Sequence, residues 1–166
     1  MKLLSIILAC FCLSCSSLVF ADTVVIDMYL TSKDGVGKAI GTITAQDTKK
    51  GLLLTPKLSD LPQQIHGFHI HENPSCDKEG MAAGGHLDPQ HTSKHEGPVG
   101  QGHLGDLPIL IVDKEGKATE SVLAPRLTVT ALKGHSIMIH KGGDNYADKP
   151  EKLGGGGARI ACGVVK

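Results

Sequence analysis

The chain has 166 residues, and 17 Lys and Arg balance 17 Asp and Glu, for a formal net charge of zero. Without a basic block there is no electrostatic footprint for a nucleic-acid partner. Hydrophobic residues make up 40% and aromatics 3%, with no Trp, so a core of Val, Ile and Leu is expected.

Residues 1–21 read as a secretory signal peptide. Met1-Lys2 supplies one positive charge, an apolar run starts at Leu3–Leu8 and continues weakly to Phe20, and Val19-Phe20-Ala21 fits a small-residue cleavage site. The run is too short, and too interrupted by Ser and Cys, for a membrane span. Its removal takes Cys10, Cys12 and Cys15 and leaves Cys76 and Cys162. In an exported protein these two imply one disulfide, closing a loop of about 87 residues and contributing roughly 4–5 kcal/mol by chain-entropy reasoning. Cys10 or Cys15 is a candidate for lipid attachment, the one route to membrane contact expected here.

Residues 22–166 suit a single domain. Short runs with strand character follow in order: Val24–Thr31, Ala39–Ala45, Gly51–Leu58 and Gln64–His71. The pattern then stops. Residues 72–106 carry little apolar periodicity and many Gly, Pro, His and Asp, and an irregular stretch of that length in a compact domain is usually functional or disordered. Strand patterns resume at Leu107–Asp113, Glu120–Leu123, Ser136–His140 and Arg159–Val165, with Leu127–Leu132 ambiguous and Lys141–Gly157 a second long loop. No stretch holds a 3.6-residue apolar period, so the expected class is all-β, a sandwich or barrel.

Nine histidines are present, most of them clustered. In Gly67-Phe68-His69-Ile70-His71 two imidazoles alternate with apolar residues, so on a strand His69 and His71 share a face. Imidazole suits zinc and copper alike, so this pair alone leaves the metal open. His86, His91, His95 and His103 follow in the first loop with Asp88 and Asp106, and His140 lies on a late strand. The count suffices for two metal sites. His71-Glu72 and His95-Glu96 each begin the His-Glu-x-x-His pattern of a zinc protease, but neither has the second histidine. The Gly-x-Ser-x-Gly elbow of a serine hydrolase is absent.

Six ordered motifs carry a resemblance. They are Gly67–Glu72, Gly84-Gly85-His86-Leu87-Asp88-Pro89, Lys94–Pro98, Gly102-His103-Leu104-Gly105-Asp106-Leu107-Pro108, Met138-Ile139-His140 and Gly154–Val164. Together they resemble copper/zinc superoxide dismutases, most closely the bacterial periplasmic branch. The resemblance implies an eight-stranded Greek-key barrel or sandwich with two long functional loops and a periplasmic location; that branch includes both dimers and monomers, and a homodimer is expected here in preference to a monomer. It implies one copper and one zinc per subunit, with copper held by His69, His71, His86 and His140 and zinc by His86, His95, His103 and Asp106. His86 would bridge the two metals. The resemblance further implies that Arg159 receives the superoxide anion and that Asp144 links a copper histidine to a zinc histidine. It also implies that the Cys76–Cys162 disulfide ties the first loop to the last strand.

Zinc has no redox chemistry, so the one-electron cycle from superoxide to O₂ and hydrogen peroxide is expected at copper. Lys141, Lys149 and Lys152 are candidates for steering the anion, against the plainer reading of solvated lysines. His66 is expected to face with Phe68 and Ile70 as a structural residue, His91 to match no ligand, and His135 to lie on the surface. The Gly154–Gly157 run is expected to make a tight approach to the copper channel. The alternatives are a non-enzymatic metal carrier on the same fold, for which Arg159 would be dispensable, and a metal-dependent hydrolase.

Overall fold

The computed structural model describes residues 21–166. The predicted signal segment other than Ala21, with Cys10, Cys12 and Cys15, lies outside the described residues. The described residues form nine strand segments: β1 Thr23–Ser32, β2 Gly35–Thr48, β3 Gly51–Leu58, β4 Ile65–His66, β5 Phe68–His71, β6 Leu110–Ile111, β7 Val122–Ala124, β8 Ser136–His140 and β9 Arg159–Val164. Among the described residues helix is confined to a single turn, α1 at Val129–Leu132, and two 3-10 turns at Met81–Ala83 and Lys152–Gly155. Among the described residues no helix is long and apolar enough to cross a membrane.

β4 and β5 are one run interrupted at Gly67, which restores the expected count of eight. The Gly67 N–H donates to Gly142 O in the second long loop (2.8 Å), so that bond leaves the ladder. All pairings are antiparallel, in the order β5-β8-β9-β1-β2-β3-β7, with β6 paired to β4. The connections β3–β4 and β6–β7 pass between the two ends of this curled sheet, as a Greek key requires.

Alternation places the core. In β3, Leu52, Leu54, Pro56 and Leu58 are buried while the residues between them are more open. In β5 and β8 every residue is buried, because both faces are covered. Phe68, Ile70, Ile137 and Ile139 enter the main core. His69 and His71 point to the other face, where the two long loops lie over them. Met138, opposite His69, packs on that side against Cys76, Ala83 and Cys162.

Two expectations change. The strand foreseen over Leu107–Asp113 shrinks to two residues: Pro108 has no N–H for a ladder, and the Ile109 N–H donates to the Tyr146 hydroxyl instead (2.9 Å). The ambiguous Leu127–Leu132 segment becomes a helical turn, with the Thr128 hydroxyl accepting from the Ala131 N–H (3.2 Å).

Candidate metal centre

The free edge of β5 organises the centre. The first long loop lays two short backbone bridges along it, setting His86 opposite His71 and Asp106 opposite His69. Leu87 N–H donates to Ile70 O (2.8 Å), and Ile70 N–H donates to Gly105 O (2.9 Å). Gly105 is required by this approach, since a Cβ there would stand 2.3 Å from Ile70 O. β8, on the opposite edge of β5, contributes His140.

Two groups of donors result. His69, His71, His86 and His140 form one; His86, His95, His103 and Asp106 form the other, and all are buried. In the first set His69, His71 and His140 each spend one nitrogen on an acceptor outside both sets, and His86 turns one to Asp106 of the second set. His69 Nε2 faces Asp144 Oδ2 (2.8 Å), His71 Nδ1 faces Gly84 O (3.1 Å), His140 Nδ1 faces Gly157 O (3.2 Å), and His86 Nδ1 faces Asp106 Oδ1 (3.0 Å). The other nitrogens turn toward one another: His71 Nε2 and His140 Nε2 are 3.3 Å apart, and buried His69 Nδ1 has no partner. An outer acceptor that fixes the tautomer, with an inner nitrogen left free, is the arrangement of metal-binding histidines.

The second set shows the same vacancy of partners. His95 Nδ1 lies 3.0 Å from Asp106 Oδ2, and His103 Nδ1 lies 3.4 Å from Asp106 Oδ1. Neither nitrogen is aimed to hydrogen-bond, and both are buried without a partner. Donors that crowd together without facing one another converge on a shared point, which fits a cation. Asp144 joins the two sets, since its Oδ1 accepts from His95 Nε2 (2.7 Å) while its Oδ2 holds His69.

The sets differ electrostatically. Burial holds the first set neutral: His69 is pushed down to about 3 and His140 to about 4, with His71 and His86 also lowered. Neutral imidazole is the form that binds metal. Burial also opposes charge on His95, but the carboxylates of Asp106 and Asp144 outweigh it and raise the imidazole to about 9. Both carboxylates are themselves held well below the usual range by their histidine partners, against the cost of burial.

Arg159, at the start of β9, donates from its two terminal nitrogens to Gly80 O and to Gly84 O (2.6 Å). Those carbonyls belong to the loop that the Cys76–Cys162 disulfide anchors to β9, with a Cα–Cα distance of 5.7 Å. The fork is thus set by the disulfide loop. A cavity of about 280 Å³ opens over His71, His86 and His140 and is also lined by Arg159, Lys152, Leu153 and Met81. Of the three candidate lysines only Lys152 lines it; Lys141 and Lys149 are exposed elsewhere.

The structure thus brings together His69, His71, His86, His95, His103, Asp106, His140 and Asp144, with Arg159 at the cavity. His91 is exposed and joins neither set. His66 is fully buried, with His140 O and Pro62 O at 2.6 and 2.9 Å from its ring nitrogens, a structural place in line with its register. His135 lies at the surface, partly covered, with Glu72 O 2.6 Å from its Nδ1. In the glycine run, Gly156 packs on His140, where a Cβ would stand 3.2 Å from the ring. Gly154 sits instead on Asp144 and His95. Arg126, which sequence reasoning missed, donates to the carbonyls of Gly102 (2.9 Å) and His103 (3.2 Å) and braces the first loop from the β7–α1 connection. A lone arginine in a turn gives no pattern that would have found it.

An all-β protein with two histidine sets sharing one imidazole, one of them carrying a carboxylate, is a dinuclear metalloprotein suited to copper and zinc. The model of the family described as copper/zinc superoxide dismutase (SODC) matches residues 39–165. A Salmonella typhimurium protein named superoxide dismutase [Cu-Zn] 2 is 55% identical over 150 residues, covering 85% of this chain and 87% of its own length. The solved structure of the Brucella abortus Cu/Zn superoxide dismutase superposes with a TM-score of 0.83 at 47% identity, over 87% of this chain and 100% of that one. The solution structure of a monomeric copper, zinc superoxide dismutase from Salmonella enterica gives 0.77 at 54% identity, with the same two coverages. The chain belongs to the copper/zinc superoxide dismutase family. It is an oxidoreductase of that class, with copper and zinc as its cofactors.

Proposed function

We propose that the chain dismutates superoxide with copper in the set His69, His71, His86, His140 and zinc in the set His86, His95, His103, Asp106, His86 bridging the two. The observation that supports this division is the pattern of ring nitrogens: His69, His71 and His140 each hold one nitrogen on an acceptor outside both sets, while the others turn inward, with His69 Nδ1, His95 Nδ1 and His103 Nδ1 buried without a partner. Copper, when bound, supplies the one-electron couple that takes superoxide alternately to O₂ and to hydrogen peroxide; zinc, without redox chemistry, supplies fixed charge and order.

The protein's residues do the rest. Arg159 presents a permanent cation and a donor fork to the entering anion, pre-aimed by its bonds to Gly80 and Gly84. Lys152 adds positive charge at the cavity and raises the encounter rate. His86 turns Nδ1 to the side of Asp106 and the second set, and would present Nε2 to the first, where that nitrogen would take up a proton and give it back during turnover. Asp144 holds His69 and His95 in orientation from outside both sets.

Residues 1–21 act as an export signal in this reading, with residues 22–166 as the mature periplasmic domain. The Cys76–Cys162 disulfide supports an oxidising compartment. Association as a homodimer belongs to the same reading. Sedimentation of the mature protein tests it, against the precedent of the monomeric Salmonella enterica relative. Protein loaded with copper and zinc should consume superoxide in a cyanide-sensitive manner, and absence of that activity overturns the enzymatic reading in favour of a metal carrier.

A further inference from the structure

The second long loop reaches back to the first at Asp148. The carboxylate is exposed, yet it accepts two backbone hydrogen bonds from opposite sides: Oδ2 from the His95 N–H (2.9 Å) and Oδ1 from the Leu153 N–H (3.2 Å). His95 belongs to the second donor set, while Leu153 and its neighbour Lys152 line the cavity above His71, His86 and His140. One side chain therefore joins the backbone of the proposed zinc loop to the rim of the substrate channel.

That rim needs holding. Leu153 has φ 55°, a left-handed conformation disfavoured for a residue with a Cβ, and Gly154 follows at φ 70°. The turn presses Gly154 onto the centre so closely that a Cβ would lie 1.9 Å from Asp144 Oδ1 and 2.9 Å from His95 Nε2. The backbone bonds of Gly154, Asn145 N–H to Gly154 O (3.2 Å) and Gly154 N–H to Ala147 O (3.0 Å), stay within the loop, whose ties to the rest of the chain at Gly142 and Tyr146 lie away from Lys152–Leu153 in sequence. Asp144 reaches only the ring of His95; Asp148 takes hold of its backbone. Both Asp148 bonds come from backbone N–H groups, one in each long loop, so the carboxylate ties main chain to main chain.

We propose that Asp148 is a positioning residue that couples zinc binding to the order of the channel rim at Lys152–Leu153. A cation in the second set fixes His95, the His95 amide fixes the Asp148 carboxylate, and that carboxylate fixes Leu153 and with it the approach of Lys152 to the cavity. By reciprocity, a well-ordered rim strengthens zinc retention. This rests on the assignment of zinc to His86, His95, His103 and Asp106.

The test is amide hydrogen exchange on the full mature protein, copper-loaded, with and without zinc. In the wild type, zinc should slow exchange about tenfold both in a peptide containing His103 and in one covering Lys152–Gly157. Asp148→Ala should keep the first protection and lose the second. It should also release zinc to a chelator about tenfold faster and flatten the salt dependence of kcat/KM, which a merely structural loop residue would not do. Asp148→Asn, which retains one acceptor oxygen, should fall between. If zinc fails to protect the His103 peptide in the wild type, the zinc assignment itself is wrong and the coupling falls with it. If zinc protects the His103 peptide but leaves the rim unchanged in the wild type, or protects the rim equally in Asp148→Ala, the coupling alone is refuted.

Discussion

The two halves of the metal centre are built by different means. Three of the four residues on the proposed copper side, His69, His71 and His140, stand on β5 and β8, whose register is fixed by Phe68, Ile70, Ile137 and Ile139 in the core. The residues of the proposed zinc side lie on irregular chain, where backbone bonds to β5, the Asp144 and Asp148 carboxylates and the Arg126 guanidinium substitute for a ladder. The chemistry follows the construction. On the strands, burial, with neighbouring imidazoles and, at His140, Arg159 adding to it, holds imidazoles neutral and ready to bind. In the loop, His95 sits between two carboxylates that raise its imidazole to about 9 against the effect of burial. A strand-held half thus supports the proposed redox site, and a loop-held half the proposed zinc site.

This comparison can be broken most sharply by removing one residue from each side. His140→Ala should lower superoxide consumption by about 100-fold or more with zinc content unchanged. His103→Ala should lose zinc while copper stays bound, with metal analysis and activity assays as the readouts. Asp144→Asn touches both sides through His69 and His95. Its expected effect is a loss of zinc affinity of about 10–100-fold, measured by chelator competition, with a smaller loss at copper. Arg159→Ala should cut kcat/KM by about tenfold while both metals remain, because the anion loses its fork and the centre keeps all its donors. Loss of copper in that variant would mean that Arg159 serves structure instead. The smallest expected effect is that of Lys152→Ala, a decrease of about two- to threefold in kcat/KM at low ionic strength that disappears in salt. Lys149→Ala, outside the cavity, should change nothing in the same assay.

Periodicity made the strand-held half legible. Gly51–Leu58 and Ser136–His140 form strands with the predicted bounds, and the period of two puts His69 and His71 on one face. It also puts His66 on the other, where it is buried against backbone carbonyls. The loop-held half was legible as a family pattern of residues and much less as physics. Nothing local in the sequence reveals that Gly105 closes on Ile70, that Gly154 rests on His95, or that Arg126 and Asp148 brace this loop from other parts of the chain. Those contacts join residues far apart in sequence, and single Asp, Arg and Gly residues in loops carry no periodic signal. The break at Gly67 and the shortening of β6 escaped for the same reason, since Gly142 and Tyr146 take N–H groups that a strand pattern assigns to the ladder.

The most direct test of the division between the halves is anomalous diffraction at the copper and zinc edges from crystals of the fully loaded protein. The account predicts a copper peak among His69, His71, His86 and His140, and a separate zinc peak among His86, His95, His103 and Asp106, with the His86 ring between them. Exchanged peaks, or a single site that leaves one set empty, would contradict it.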